Sequence, residues 1–328
     1  MERFVDIAVE LGARLKALAS SDKGLEVIER AVAENPWFSP AEVVMSIEAI
    51  SSQMLDEQKL RAWMAHYPTL PTSTPRNVGI IMAGNIPLVG FFDLLCTLAA
   101  GHRAWIKPSS KDRVLMEYIC SLLREIDPDI PIYIYGNHTQ IDAIIATGGH
   151  EANRHFEQEF ANHKRLLRSS RHSIAVISNE LSECQTELLA EDIYAYSALG
   201  CRNVSMIFAP RGCKVELPAY PTSPKYHNCY LQSRALHTMR GDTFEDNGSL
   251  VMIRSKEFPQ SLGEISIWEY DSIEQVEEWI TEHDKDIQCI VSQIIDHPRS
   301  VDFGQAQHPT LLDYADGVDT MQFLTFND

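Results

Sequence analysis

Cys201 stands in Ala198-Leu199-Gly200-Cys201-Arg202-Asn203-Val204-Ser205, between a polar helical stretch and an apolar run that ends at Ala209. A thiolate at such a loop-to-strand junction, beside a glycine that lets backbone approach closely, is placed to attack a carbonyl carbon. A lone cysteine is most often a small buried hydrophobe, so the thiol needs a companion before it means anything. Asn85 supplies one, in Gly84-Asn85-Ile86-Pro87-Leu88 at a strand-to-helix turn far upstream. An asparagine amide is a standard donor to the oxyanion formed when a nucleophile adds to a carbonyl.

A second set of residues suits an anionic nucleotide. Ile106-Lys107-Pro108-Ser109-Ser110 follows a short strand pattern and precedes a helical one. A lysine leaving a buried strand at the carboxyl edge of a sheet can meet a ribose or a phosphate. Thr147-Gly148-Gly149 likewise ends a strand and opens a helix, where backbone N–H groups can face a pyrophosphate. Each has a plainer reading: a solvated lysine and a glycine turn. No Gly-x-Gly-x-x-Gly is present, so the common dinucleotide fingerprint is absent. Other chemistries lack support. His150 and His155 lie about 140° apart around a helix and cannot share a metal as an i, i+4 pair does, so no metal site is expected. No Gly-x-Ser-x-Gly elbow is present for a serine hydrolase.

The elements that must position these residues follow from periodicity. Phe4, Ile7, Ala8, Leu11, Leu15 and Leu18 recur at helical spacing, and Ser39-Pro40-Ala41-Glu42 reads as N-cap, N1 proline and capping-box glutamate. Residues 69–77, with Pro71 and Pro75, read as a loop into the core. Strands are then expected over 78–83, 103–106, 132–135 and 142–147, and helices over 88–100, 111–126 and 151–163. That alternation predicts a parallel sheet covered by helices. A second series begins with a strand at 173–177, a helix at 183–197 and the strand after Cys201. Residues 210–230, with Pro218, Pro221 and Pro224, read as a loop of little regular structure. A strand at 264–270, a helix at 272–281 and a strand at 288–292 follow, with a seam between lobes near 167–172.

Composition narrows the class. The 328 residues suffice for two lobes at roughly 150 residues per domain. A hydrophobic share of 45% with 23% charged residues describes a globular enzyme rather than a disordered chain. A formal net charge of -18 argues against non-specific nucleic-acid binding, which needs a basic footprint. The seven cysteines are odd in number and never spaced Cys-x-x-Cys, which reads as reduced thiols in a cytoplasmic protein. Met1-Glu2-Arg3-Phe4-Val5-Asp6 lacks the basic start and apolar core of a signal peptide. The apolar stretch 78–100 holds Asn85, Pro87 and Asp93, so it reads as strand, turn and helix rather than a membrane span.

In this order, Asn85, Lys107, Thr147-Gly148-Gly149, Ser173 and Cys201 resemble the aldehyde dehydrogenase superfamily. There the same succession supplies an oxyanion asparagine, a cofactor-ribose lysine, a helix-start glycine, a Gly-Gly-Lys-Ser-like segment and the nucleophile. Within it the chain resembles the acyl-CoA reductase family that includes the fatty-acid reductase of bacterial bioluminescence. Ala83-Gly84-Asn85-Ile86-Pro87-Leu88-Val89-Gly90, Gly200-Cys201-Arg202-Asn203-Val204-Ser205 and Asp313-Tyr314-Ala315-Asp316-Gly317-Val318-Asp319-Thr320 carry that narrower likeness, over roughly residues 35 to 325. Two departures from the wider superfamily matter. Six residues before Ser173, where aldehyde-oxidising members place a water-activating glutamate, this chain has Leu167. Three residues after Lys107, where NAD-preferring members often place a glutamate, it has Ser110, which tolerates a 2′-phosphate. A Glu-x-Phe-Gly-Pro segment has no clear counterpart; Gln260 to Gly263 is the rough positional match.

The resemblance implies an α/β, aldehyde-dehydrogenase-like fold of two lobes, each with a mostly parallel sheet covered by helices. Residues 1–170 would form the N-terminal helices and NADP-binding lobe, 171–300 the catalytic lobe, and 301–328 a C-terminal return segment. The implied activity is NADPH-dependent reduction of an acyl-CoA or acyl-carrier thioester to an aldehyde. Cys201 would be the nucleophile, with Asn85 and the Cys201 N–H at the oxyanion. NADPH would be held by Lys107, Ser109, Ser110, Gly148 and Gly149. A homo-oligomer or an acyl-transfer partner is compatible with this. Two alternatives stand beside it: an acyl phosphate as substrate, and a non-catalytic acyl-carrying or scaffold subunit, which need not bind NADPH.

Overall fold

The computed structural model describes residues 2–18, 21–136 and 138–326. The chain divides into two compact units, Met1–Ser170 with Thr310–Asp328, and Arg171–Pro309.

The first unit opens with helices α1 (Glu2–Leu18), α2 (Asp22–Glu34), α3 (Pro40–Ala49) and, after a π-helical turn at Ile50–Met54, α4 (Glu57–Met64). Ser39 and Glu42 form the expected capping box, each satisfying a backbone N–H at the start of α3. The alternating region gives β1 (Asn77–Ile81), α5 (Phe91–Ala99), β2 (Arg103–Lys107), α6 (Arg113–Ile126), β3 (Ile132–Ile134), β4 (Ala143–Thr147), α7 (His150–Glu159) and β5 (Lys164–Arg168). Their order in the sheet is β3-β2-β1-β4-β5, with every pairing parallel. Val78, Ile80 and the whole of 143–146 are buried, as strands covered on both faces must be. Strand β5 has no counterpart in the sequence expectation, because its basic residues Lys164, Arg165 and Arg168 mask the apolar pair Leu166-Leu167.

The second unit contains β6 (His172–Val176), α8 (Glu183–Tyr194), β7 (Val204–Pro210), α9 (Pro224–Arg240), β8 (Phe244–Asp246), β9 (Val251–Arg254), β10 (Glu264–Tyr270), α10 (Ile273–Glu282), β11 (Ile287–Ser292) and β12 (Ser300–Val301). The sheet order is β12-β11-β6-β7-β10-β9-β8, and only β8 and β9 run antiparallel. One expectation is corrected here. Residues 224–230 are the first turns of α9 rather than loop: Ser223 caps the helix by accepting from Tyr226 N–H, and Pro224 occupies a first-turn position, where a missing N–H costs nothing.

The return to the first unit begins at Thr310. Residues 301–309 stay with the second unit, where the Asp192 carboxyl accepts from the Gly304 and Ala306 N–H groups at 2.7 and 2.9 Å. The returning segment, with α11 (Thr320–Phe323), is tied down by buried polar groups. Arg168 pairs with Asp93 at 2.6 Å and donates to Thr320 Oγ1 at 2.7 Å. Tyr67 donates to Asp319 at 2.7 Å, and Trp63 Nε1–H donates to the Tyr314 hydroxyl at 2.7 Å. His102 takes one ring nitrogen from each side: Nδ1 accepts from Arg76 N–H and Nε2 lies 2.8 Å from Leu324 O, the neutral Nε2–H tautomer. Burial accordingly pulls the His102 pKa down. The Asp313-to-Thr320 motif is thus an anchor for the chain end. Among the described residues no helix is long and apolar enough to cross a membrane.

Candidate active site

The order of the first sheet creates a switch point. From β1 the chain runs outward through β2 to β3, then crosses back to place β4 on the other side of β1. Ligands of open parallel sheets sit outside the carboxyl ends of the strands at such a point. Ile81 pairs with Lys107 on one side and Ala146 on the other, so the segments after β1, β2 and β4 leave one edge side by side. Those segments carry Asn85, Lys107 to Ser110, and Gly148-Gly149. Six of the seven proposed site residues therefore share a single sheet edge.

The Asn85 loop is tightly built. A Cβ on Gly84 would stand 2.6 Å from Ser109 Cβ, so only glycine lets the first loop pack on the second. Leu88 has φ of +60, rare for a branched residue, and is almost wholly buried. Its N–H donates to Asp112 Oδ2 at 2.8 Å, and Ser46 Oγ donates to Pro87 O at 2.8 Å. Asn85 itself is half-buried at the mouth of this loop.

The residues expected to hold a nicotinamide cofactor fit one in three respects. Lys107 ends β2 with an exposed side chain, and Ser109 is half-buried and Ser110 exposed beside it. Gly149 is the N-cap of α7 with no side-chain capping bond, and nothing lies within 4 Å of where its Cβ would stand. The first turn of α7 is therefore open to an anion at its positive end. Gly148 has a packing reason as well, since a Cβ there would meet Ala152 Cβ at 2.9 Å.

Cys201 lies in the second unit, in the connection from α8 to β7. Three consecutive non-glycine residues before it, Tyr196, Ser197 and Ala198, have φ of 54, 54 and 55. Each such residue costs about 1–3 kcal/mol and persists only where its surroundings over-determine it. Asn203 pins the chain on both sides of this run. Its amide accepts from Gly200 N–H at 2.8 Å and donates to the carbonyls of Asp192, Ile193 and Ala195 at 3.2, 3.2 and 2.9 Å. Ser173 Oγ donates to Cys201 O at 2.9 Å, which the pairing of Ser173 with Val204 makes possible. Arg202 donates through Nε to Ala306 O, fixing the other side of the loop.

Burial disfavours the thiolate at several of the other cysteines. Cys96 and Cys289 are fully buried, and burial pushes the Cys96 thiol well up and the Cys120 thiol to about 11. Burial also raises Cys213. Cys201 is half-buried and stands in the strained loop. Sequence reasoning missed Asp112, Asn203 and Asp192, whose roles rest on contacts made after folding. An Asp five residues past Lys107 and an Asn two past Cys201 were visible, but nothing local said what they hold. Burial raises the Asp192 carboxyl to about 6 despite its two N–H donors. Leu167, on β5, packs against the cluster of Ile144, Ala146 and Phe160. Gln260 to Gly263 form the turn into β10.

Known structures share this architecture. An oxidoreductase from Marinobacter aquaeolei is 12% identical, over 94% of this chain and 78% of that one, with a TM-score of 0.66. An aldehyde dehydrogenase from Bacillus cereus, solved with NAD+, is 14% identical over 89% and 72%, with a TM-score of 0.60. A propionaldehyde dehydrogenase from the Clostridium phytofermentans fucose utilisation microcompartment is 12% identical over 90% and 78%, at 0.57. The fold is that of the aldehyde dehydrogenases. The family described as acyl-CoA reductase (LuxC) matches residues 37–217, more than half of the chain, and the chain belongs to that family. Family and fold together make it an oxidoreductase acting on acyl and aldehyde groups. No curated protein matches the sequence.

Proposed function

We propose that the protein reduces an acyl thioester, acyl-CoA or acyl-carrier, to the aldehyde through a covalent acyl group on Cys201. The observation that carries this reading is the Cys201 loop, whose left-handed run and Asn203 clamp hold one half-buried thiol in a strained connection. The Cys201 thiolate adds to the thioester carbonyl, forming a carbon–sulfur bond and an oxyanion. The Asn85 amide and the Cys201 N–H donate to that oxyanion. Its collapse breaks the bond to the carrier sulfur, which leaves as the thiol after taking up a proton. Lys107, Ser109 and Ser110 would bind the ribose and phosphate of NADPH, and the first turn of α7 at Gly148-Gly149 its pyrophosphate. Bound there, NADPH would supply the hydride that turns the Cys201 thioester into aldehyde and thiolate. Leu167 leaves the position of the water-activating glutamate without a base, which keeps the acyl group for reduction.

The test is NADPH consumption with acyl-CoAs of increasing chain length, with the aldehyde identified directly. Stoichiometric aldehyde formation supports the reading; NADPH binding without turnover on any acyl-CoA, or on an acylated carrier protein, points to acyl phosphate, and neither binding nor turnover to the scaffold alternative.

A further inference from the structure

Asp112 stands at the N-cap of α6, where an aspartate ordinarily accepts from its own helix N–H groups, yet its side chain makes no capping bond. The carboxyl turns away instead, and Oδ2 accepts from Leu88 N–H at 2.8 Å across a separation of 24 residues. Oδ1 is buried with no hydrogen-bond partner among the described residues. The backbone of the same residue binds the second loop, since Asp112 N–H donates to Ser109 O at 3.1 Å. Its Cβ would be 3.2 Å from a Cβ on Gly84. One buried residue therefore touches the loop of Asn85 and the loop after Lys107, and forgoes its cap to do so.

The bond matters because of what it holds. Leu88 is left-handed, closes the turn that presents Asn85, and leads through the Phe91 N–H to Leu88 O bond at 2.9 Å into α5. Without an acceptor the Leu88 N–H would be buried and unsatisfied in a backbone conformation that already costs energy. We propose that Asp112 is a positioning residue for acyl reduction, and that its carboxyl oxygen locks the left-handed Leu88 turn so that Asn85 is held at a fixed place on the sheet edge. The proposal rests on the reading of Asn85 as an oxyanion donor. What the turn requires is an acceptor oxygen, not a charge: burial raises the carboxyl pKa well above its usual value, and no charged side chain contributes to that shift.

The test pairs Asp112→Ala with Asp112→Asn, which keeps an acceptor oxygen of the same reach. Two readouts are needed: kcat and KM for acyl-CoA, and amide hydrogen exchange across residues 84–92. Asp112→Ala is expected to lower kcat about 10²-fold at nearly unchanged KM and to speed exchange at Leu88. Asp112→Asn is expected to stay within a few-fold of the parent in both. If Asp112→Ala fails to fold, Asp112→Ser, whose hydroxyl is too short to span the gap, must show the same paired loss. Parental exchange and kcat in the Ala or Ser variant overturn the proposal, as does an Asn variant as damaged as Ala. Asn85→Ala separates the two readings. It should leave exchange at Leu88 unchanged; if it also leaves kcat unchanged while Asp112→Ala frees the loop, the oxyanion reading falls and the locking of the turn stands.

Discussion

The loop of Asn85 and the loop of Cys201 both hold a side chain in a strained connection, one by distant contacts and the other by a local clamp beside distant ones. The first turns on a single left-handed residue, Leu88, and is held by Asp112 and Ser46, which lie 24 and 41 positions away in sequence. The second turns on three left-handed residues, and Asn203 holds it through partners no more than 11 positions away. Asn203 thus ties the Cys201 loop to the end of α8 from within, while Ser173 and the Arg202 bond to Ala306 O hold it from farther along the chain. The Asn85 loop acquires its shape only when α3 and α6 have packed beneath it. The Cys201 loop should fail by local melting, the Asn85 loop by losing aim while its unit stays folded.

Asn203→Asp attacks the local clamp most directly. It replaces the donor amide with an oxygen facing three carbonyls, inside a buried site. Stability should fall by about 3 kcal/mol, and the folded remainder should turn over about 10²-fold more slowly. Denaturant unfolding with a parental midpoint would show that the clamp contributes nothing. Asn85→Ala should leave the unfolding midpoint alone and lower kcat by about 10²–10³-fold, the usual magnitude for one oxyanion donor. A change confined to KM would make Asn85 a binding group instead.

The Asp192 strap should give the Cys201 side of the comparison a pH dependence. Its folded pKa, about 6, lies above the ordinary carboxylate value, so the folded chain keeps a proton that the unfolded chain has released. Stability associated with the protonated carboxyl is therefore present below the usual carboxylate pKa and is lost as pH rises to about 6. Urea titrations at several pH values should show that decline, and Asp192→Asn should flatten it; an unchanged profile would remove Asp192 from the account. Ser110→Glu is the smallest test. Because Ser110 is exposed, water screens the new charge, and NADPH binding should weaken by about tenfold while NADH is spared. Equal loss for both cofactors would place the 2′-phosphate elsewhere.

Much of this comparison was legible in the residues. Ser39 and Glu42 declared the start of α3, and the 78–147 alternation declared a parallel sheet. Local chemistry accounts for each of those. Strand β5 was hidden by its basic residues, and α9 by Pro218, Pro221 and Pro224, of which only the last belongs to the helix, at a position that tolerates it. The left-handed run 196–198 carries no glycine or asparagine to announce it. Asp112 was invisible for a different reason: read locally it is a helix cap, and only the packed loop shows the carboxyl serving another segment.

The central claim is that Cys201 carries the acyl group and that water does not remove it. Intact-protein mass spectrometry after mixing with acyl-CoA, with no NADPH present, tests both halves together. One acyl group should appear, map to Cys201 by peptide digestion, persist over many turnover times, and vanish on adding NADPH with release of aldehyde. Cys201→Ala should show no adduct. An acyl group on any of the other six cysteines, or an adduct that water clears as fast as NADPH does, would contradict the account.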